Sequence, residues 1–210
     1  MLAFALAAFS AVFSVVDPFG VVPVYIAMTA ADSREHKRRT ALRASVTMVI
    51  ALALFAAAGV WILRFFGVSI GAFRIAGGVL LLLLAIDMLR AQPSRQRTTP
   101  EEEREGLEKP DVSVFPLAIP MLSGPGSFAT VMVLMTRANG WWQRGIVFAS
   151  IFLTGVLTFF ILLGAVFAEK RLGKTGINVL HRVMGLLLAA IAVQFVVDGA
   201  RDVLPHVLGQ

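Results

Sequence analysis

The apolar run from Ala3 to Met28 carries a carboxylate, two prolines and a glycine near its middle, at Asp17, Pro18, Gly20 and Pro23. A run of this length can cross a bilayer, since a spanning helix needs roughly 20 apolar residues. Proline interrupts a helix, and a carboxylate at mid-depth in the bilayer costs roughly 2.5–3.5 kcal/mol. Interrupted backbone is tolerated in a membrane only where protein or a water-filled cavity covers it. We therefore expect this stretch to line a buried site.

A second apolar run, from Val112 to Met135, is interrupted in a similar way by residues 123–127, whose sequence is Ser-Gly-Pro-Gly-Ser. Pro116 and Pro120 precede this interruption within the same run. The two motifs lie at corresponding places, because Pro125 follows Pro18 by 107 positions.

Nearly the same offset recurs elsewhere in the chain. Thr154 follows Thr47 by 107 positions, and Arg182 follows Arg74 by 108, each arginine opening an apolar run. Three near-equal offsets predict an internal repeat.

Composition indicates a polytopic membrane protein, because 58% of the 210 residues are hydrophobic and only 15% are charged. The chain has no cysteine, which excludes disulfides and thiolate chemistry. Its three histidines, His36, His181 and His206, lie at or outside the ends of the apolar runs, without metal-ligand spacing. The net charge of +6 is typical of basic cytoplasmic loops and predicts no nucleic-acid partner.

The hydropathy pattern predicts an all-α membrane protein with six transmembrane helices, of which helices 1 and 4 are broken at the Pro/Gly motifs. The predicted domain organisation is a first three-helix repeat (1–91), a polar linker (92–111) and a second three-helix repeat (112–210). Residues 32–39 are predicted to form a solvated basic loop. The spans are expected at about 3–28, 42–63, 69–89, 113–135, 145–168 and 179–199.

The distribution of basic residues predicts the orientation. Fourteen of the 19 Lys and Arg residues follow spans one, three and five, and five lie on the other side. This bias puts the basic loops in the cytoplasm and both termini in the periplasm of a bacterial inner membrane. Because each repeat has an odd number of spans, the two repeats are inverted, which is the architecture of many secondary transporters.

The candidate substrate- or ion-binding residues surround the two interruptions and the matching threonines. They are Ser14, Asp17, Pro18, Gly20, Thr47, Ser123, Gly124, Gly126, Ser127 and Thr154. Asp17 either caps the half-helix that follows it or contacts the substrate or ion, and both roles are compatible. Half-helix N-termini suit a carboxylate, while Asp17 suits a cation, so the site fits a zwitterion such as an amino acid.

Other polar groups have simpler explanations. Ser10 and Ser14 share a helix face with Asp17 that is expected to point into the bundle, although serines also bond to their own helix carbonyls. Asp198 with Arg201, like Asp87 with Arg90, is spaced as an i, i+3 pair near a helix end. Arg74 and Arg182 are expected to reach the interface by snorkelling, and Gln194 is expected to form a helix–helix hydrogen bond.

The motifs resemble those of the MarC family of bacterial inner-membrane proteins. The sequence Asp-Pro-x-Gly-x-x-Pro at residues 17–23 is similar to the first signature of that family. The pattern of prolines and glycines at residues 116–126 is similar to the second. Residues 74–78, and 182–185 together with Gln194 and 198–199, resemble the third and fourth. The resemblance implies a six-span protein, with some relatives transporting small neutral amino acids. Family members often carry Asn at the position of Val21. If that amide contacts the substrate in relatives, the valine indicates that this protein has a different substrate.

These observations favour a secondary transporter of a small solute, such as a small neutral amino acid, coupled to Na⁺ or H⁺ and needing no cofactor. A non-transporting membrane scaffold is the alternative. A membrane-embedded enzyme is less favoured, because the sequence has no metal or catalytic cluster. The expected partners are a small-molecule substrate and the lipid bilayer, and a homo-oligomer is left open.

Overall fold

The computed structural model describes residues 1–30, 32–90, 101 and 111–207, and in these it contains helices and no strand. The described residues form seven helices, the last of which is kinked at Gly173, and a proline segment, Ser113–Leu122, precedes the fifth. The helices are α1 (Leu2–Val16), α2 (Pro18–Met28), α3 (Arg34–Phe65), α4 (Ile70–Leu89), α5 (Pro125–Arg137), α6 (Trp141–Leu163) and α7 (Ala165–Val207).

Five segments are long and apolar enough to cross a membrane, and a sixth is added if the proline segment and α5, bent by 59° at their junction, form one span. The five are Leu2–Met28, Arg34–Phe65, Ile70–Leu89, Trp141–Leu163 and Asn178–Leu204. The described residues therefore confirm an all-helical protein with five or six candidate membrane spans, whereas the inverted arrangement of two repeats stays a prediction. The predicted linker lies outside the described residues except for Glu101 and Asp111.

The prediction of a loop over residues 32–39 is wrong from Arg34 onward, because α3 begins there. The hydroxyl of Ser33 accepts a hydrogen bond from the backbone N–H of His36 at 3.2 Å and caps the helix. Glu35 and Arg39 form an i, i+4 ion pair at 2.5 Å on the exposed face. The cap and this pair favour helix in a segment whose polarity indicated only that it lies in water.

The backbone between α1 and α2 is interrupted at one residue. Asp17 has a left-handed conformation (φ 46°), which Asp and Asn adopt more readily than other residues with a side chain. Its N–H closes α1 on the carbonyl of Phe13 at 2.9 Å, and Pro18 opens α2. Proline suits this first helical position, because its missing N–H would have had no partner there.

The backbone before α5 is less regular than the sequence predicts. Phe115 and Ile119 have extended backbone angles within the proline segment, and each precedes a cis proline, Pro116 and Pro120. The segment ends at Leu122, two residues before the Gly124 N-cap of α5.

Helix α4 packs antiparallel through glycines against the part of α7 that follows the kink at Gly173. A Cβ atom on Gly71 would lie 3.0 Å from the carbonyl oxygen of Gly199, and one on Gly185 would lie 2.8 Å from the Cβ of Met88. Small residues let helix backbones approach closely where no hydrophobic force drives them together. The core next to this pair includes Val15 of α1, which brings the first interruption against α4 and α7.

Candidate functional site

The carboxylate of Asp17 is fully buried at the interruption between α1 and α2. Its Oδ1 accepts a hydrogen bond from the backbone N–H of Gly20 at 3.3 Å, which confirms the predicted capping role. Its Oδ2 lies 2.8 Å from Nδ1 of His181 in α7. This contact does not have the geometry of a hydrogen bond, and Nδ1 has no other hydrogen-bond partner among the described residues.

Gly20 leaves room for this pair. A Cβ atom there would overlap Oδ2 of Asp17 and would lie 2.7 Å from Cε1 and 2.8 Å from Nδ1 of His181. Real Cβ atoms essentially never approach other atoms so closely. Glycine is therefore needed at this position, because the acid and the imidazole occupy the space that a side chain would take.

The predicted polar face of α1 is only partly inside the bundle. Ser14 is buried, and its hydroxyl points to the sulfur of Met184 in α7 at 3.9 Å. Ser10 is exposed, so the expectation that it also points inward is wrong. Because α1 packs on the bundle through a narrow stripe that also holds Val12 and Val15, a residue at the edge of that stripe faces outward.

The two interruptions lie beside each other. A Cβ atom on Gly126 would lie 3.5 Å from Cγ2 of Val15, and 3.1 Å from Cδ2 of Leu81 in α4. Pro18 and Gly124 are both buried, whereas Pro125 is exposed. The first turn of α5 thus packs against the last turn of α1.

The serines of the second interruption satisfy carbonyl groups of the irregular backbone. The hydroxyl of Ser123, fully buried, donates to the carbonyl of Ala118 at 2.7 Å. The hydroxyl of Ser127 donates to the carbonyl of Leu122 at 3.2 Å. Both side chains hold the bend, and their proposed contact with a substrate stays a prediction.

The matching threonines lie on α3 and α6. Thr154 is fully buried, and its hydroxyl has no hydrogen-bond partner among the described residues. Thr47 is half-buried. Their roles in binding also stay predictions.

A second polar cluster lies where α4 begins and where α5 and α7 end. Arg74 Nη1 pairs with Asp202 at 2.5 Å, and its Nη2 donates to the hydroxyl of Thr136 at 3.0 Å. Arg137 pairs with Asp198 and lies over the ring of Phe195, 5.1 Å from its centroid. We call this end of the bundle the Arg74 end.

Three expectations about these residues are therefore wrong. Arg74 is only 13% exposed and is held between helices, so it does not snorkel. Asp198 pairs with Arg137 of α5, and not with Arg201 one turn away. Gln194 donates to Asp198 at 2.7 Å within its own helix, and not to another helix. Arg74 and Asp198 thus take their partners from other helices, whereas Gln194 takes its partner from its own helix.

The opposite end of the bundle is closed by exposed contacts. Arg43 of α3 pairs with Asp111 at 2.6 Å. The hydroxyl and the backbone N–H of Ser113 bind the same carboxylate at 2.5 and 3.0 Å. These two hydrogen bonds, with a smaller contribution from Arg43, hold the pKa of Asp111 below its ordinary value.

His181 is the site residue that sequence reasoning missed. It lies 164 positions after Asp17 and at the end of an apolar run, where a histidine usually meets the interface. One signal was available: the 108-residue offset that relates Arg74 to Arg182 also relates Phe73 to His181. The two halves therefore differ at His181, as they differ at Asp17 and Gly124.

Comparison with known proteins gives a consistent result over nearly the whole chain. The family model for MarC family integral membrane proteins matches residues 2–204. The UPF0056 membrane protein MJ1677 of Methanocaldococcus jannaschii is 41% identical over 197 residues, which cover 94% of this chain and 96% of that protein. No solved structure matches.

Bacterial relatives are similar over the same length. The UPF0056 membrane protein YvbG of Bacillus subtilis is 34% identical over 206 residues, which cover 98% of each chain. The UPF0056 membrane protein YhcE of Escherichia coli is 33% identical over 200 residues, which cover 95% of this chain and 93% of that protein. With its apolar helices and this extent of match, the chain belongs to the MarC family of integral membrane proteins.

Proposed function

We propose that this protein is a secondary transporter of a small solute, with small neutral amino acids as the substrate class and H⁺ as the coupling ion. The observation that carries the proposal is the fully buried Asp17 at an interrupted helix, 2.8 Å from His181 of another helix. An ionisable side chain at membrane depth is expensive and is a functional-site hypothesis by default. A scaffold has no need of such a pair.

The proposed architecture is two inverted three-helix repeats, residues 1–91 and 112–210, with spans 1 and 4 broken. A two-fold axis in the membrane plane makes equivalent residues of the two halves meet. Gly155 fits this expectation, because a Cβ atom on it would lie 3.5 Å from Cε of Met48, its counterpart 107 positions earlier.

The other equivalent pairs of spans have the same property. Gly71 meets Gly199 and Gly78 meets Ala192, so the antiparallel register of α4 and α7 is centred on Leu81 and Ala189. These two residues are 108 positions apart. The approach of Gly126 to Val15 gives spans 1 and 4 a register centred on Asp17 and Gly124, which are 107 apart. This agreement supports placing the axis between the two interruptions.

The surroundings of Asp17 favour a proton over Na⁺. The Gly20 N–H donates to Oδ1, and the imidazole of His181 lies against Oδ2, so both oxygens already face nitrogen atoms. A hard cation prefers a shell of oxygen ligands and would have to displace these groups. A proton needs no shell of oxygen ligands, and carboxylate and imidazole side chains placed together in membrane spans are typical of proton relays.

The second interruption suits the carboxylate of an amino acid. Helix α5 begins at Pro125 with no side-chain cap on its first turn. Pro125 has no N–H and the N–H of Ser127 bonds to the carbonyl of Gly124 at 3.0 Å, so the N–H of Gly126 and the helix dipole are what this terminus offers to an anion. With Asp17 in the opposite half, the pocket would offer one polar region to each charge of a zwitterion. The basic-residue bias further supports an inner-membrane location with both termini in the periplasm.

The test is transport of labelled alanine in proteoliposomes. We expect the wild type to accumulate alanine when a pH gradient is imposed, without Na⁺. Asp17→Asn and His181→Gln should lose this accumulation. His36→Gln is the matched control, because His36 also contacts an aspartate, Asp32 at 3.7 Å, but lies exposed at the start of α3.

Two results would contradict the proposal. If the wild type moves none of alanine, glycine or serine by accumulation or by exchange, transport of this substrate class is wrong and the scaffold is favoured. If transport occurs but Asp17→Asn retains accumulation driven by the pH gradient, the assignment of coupling to this pair is wrong.

A further inference from the structure

A cleft opens at the Arg74 end of the bundle, away from the Asp17–His181 pair. It has a volume of about 520 Å³, which lies within the range of small-molecule pockets, roughly 300–1,000 Å³. Its lining includes one cation and one anion, Arg74 of α4 and Asp202 of α7, with Ser69, Thr136 and Val203 around them. The cleft therefore presents both signs of charge within a small volume.

The guanidinium of Arg74 is held with part of its donor set unused. Nη1 pairs with Asp202 and Nη2 donates to Thr136, whereas Nε is buried and has no hydrogen-bond partner among the described residues. A buried donor without a partner is unfavourable. Nε and Nη2 lie on one edge of the guanidinium fork, which matches the two oxygens of a carboxylate.

The carboxylate of Asp202 completes the arrangement. It is 43% exposed while Arg74 is 13% exposed, so the acid faces the open part of the cleft and the base lies deeper. A ligand that carries a carboxylate next to an ammonium can bind Arg74 with one charge and Asp202 with the other. It would then replace part of the existing ion pair without leaving either group unpaired.

We propose that this cleft is a second binding site, a vestibule that takes the zwitterionic backbone of a small amino acid before it reaches the central pair. Arg74 binds the carboxylate through Nε and Nη2, and Asp202 binds the ammonium. The inference rests on the proposed transport function, since it names the same substrate class. It makes a separate claim about where that substrate binds first.

The absence of cysteine allows a direct test that requires no transport. Ile70→Cys puts a thiol in the wall of the cleft, and Val68→Cys puts one just outside it. Both proteins are labelled with a maleimide in phosphatidylglycerol nanodiscs, with and without alanine. At alanine ten times above its Kd, about nine-tenths of the sites are filled, so labelling of Ile70→Cys should slow about tenfold. Labelling of Val68→Cys should not change.

Analogues and a second substitution identify the groups responsible. Propionate and ethylamine carry one charge each and should protect the Ile70→Cys thiol at least about tenfold less well than alanine. The reason is that losing one charged contact lowers the affinity by about that factor. Arg74→Lys keeps a cation opposite Asp202 but loses the fork, so half-protection should need at least about tenfold more alanine. Arg43→Gln, in the exposed pair at the other end of the bundle, is the control and should leave protection unchanged.

Three outcomes would overturn the vestibule, and a fourth would reject only the transport function. Alanine that is transported but does not slow labelling of Ile70→Cys rejects it while leaving the transport function intact. Protection that survives Arg74→Lys but disappears in Asp17→Asn assigns the effect to the central pair. Phosphatidylethanolamine carries the same two charges in its headgroup, so labelling slowed by adding this lipid, with no effect of alanine, assigns the cleft to lipid. Protection by alanine in a protein that never transports it supports the site and rejects the transport function.

Discussion

Asp17 and Gly124 occupy corresponding places in the two halves of the chain, 107 residues apart, and they end their helices by different chemistry. At the first interruption a left-handed aspartate closes α1 with its N–H and caps α2 with its carboxylate. At the second, an irregular proline segment leads into α5 with a 59° bend, and serine hydroxyls bond to its carbonyls. The first interruption introduces a charge-bearing group, and the second remains neutral.

This difference shows that a break in a membrane helix does not by itself require a carboxylate. Ser123 and Ser127 satisfy the second break with neutral groups. A neutral side chain could therefore also satisfy the backbone at the first break, so the negative charge of the buried acid is not needed for this purpose. His181 of α7 lies beside that acid. Phe73 stands 108 positions before His181, where the proposed repeat would put its counterpart, so the proposed axis relates the pair to two uncharged residues, Gly124 and Phe73.

Gly20→Ala should have the largest effect on stability. Its methyl group would overlap the carboxylate of Asp17 and the imidazole of His181, so the contact between these two side chains would have to change. We expect a loss near the upper end of the roughly 1–3 kcal/mol typical of overpacking. Thermal unfolding in detergent measures it. Gly145→Ala is the control, since no atom lies within 4 Å of that Cβ position; equal losses in both variants would contradict the close packing.

A double-mutant cycle between Asp17→Asn and His181→Phe should give the next largest effect. Phenylalanine is chosen because Phe73 stands 108 positions before His181, at the position that the proposed repeat relates to it. Because the two side chains are in contact, the double variant should be more stable than the sum of the single losses predicts, by about 2 kcal/mol. Unfolding of the four proteins in denaturant gives the coupling. Additive losses would mean that the two groups do not stabilise each other.

Ser123→Ala should have a smaller effect and should leave coupling intact. The substitution removes the hydrogen bond from the side-chain hydroxyl to the carbonyl of Ala118. That carbonyl still accepts a hydrogen bond from the backbone N–H of residue 123 at 2.8 Å. We expect a loss of about 1 kcal/mol in thermal unfolding. Accumulation of alanine driven by a pH gradient should persist. Loss of coupling without loss of stability would show that the second interruption is as specialised as the first.

The smallest effect is expected at Asp111, whose carboxylate is exposed at the end of the bundle opposite the Arg74 end. Hydrogen bonds from Ser113, and the Arg43 cation, lower the pKa of Asp111 in the folded protein, so the unfolded chain takes up the proton first as the pH falls. This contribution is complete above the ordinary pKa of 3.8 and is lost as the pH falls through the lower folded value. It should stay below about 1 kcal/mol, because both side chains are exposed and screened. Unfolding of Asp111→Asn and wild type from pH 6 to 3 measures it; a difference that grows toward acid would contradict the sign.

Much of the fold could be predicted because it depends on local sequence. Apolar runs of about 20 residues indicate spans wherever they occur, and Pro18 after Asp17 predicts both the interruption and the cap. The extension of α3 back to Arg34 could not be predicted in this way, because hydropathy identifies the part of a helix that lies in lipid. The cap at Ser33 and the Glu35–Arg39 pair are the signals that identify the part in water.

The partners of the polar groups could not be predicted, because they come from packing between distant helices. Asp198 has Arg201 one turn away, yet α5 brings Arg137 to it. His181 reaches Asp17 because α2 packs against α7. The one sequence signal was that the 108-residue offset pairs Phe73 with His181, two residues of different chemistry. This difference indicated a role for His181 that the first half of the chain does not share.

The central claim, that Asp17 and His181 carry the coupled proton, is tested most directly by proton flux during transport. Proteoliposomes loaded with the pH dye pyranine receive an alanine gradient in Na⁺-free buffer, with no imposed pH gradient. We expect an alanine-dependent change of internal pH with the wild type and with His36→Gln, and none with Asp17→Asn or His181→Gln. Alanine movement without a change of pH in the wild type, or an unchanged proton flux in Asp17→Asn, would contradict the account.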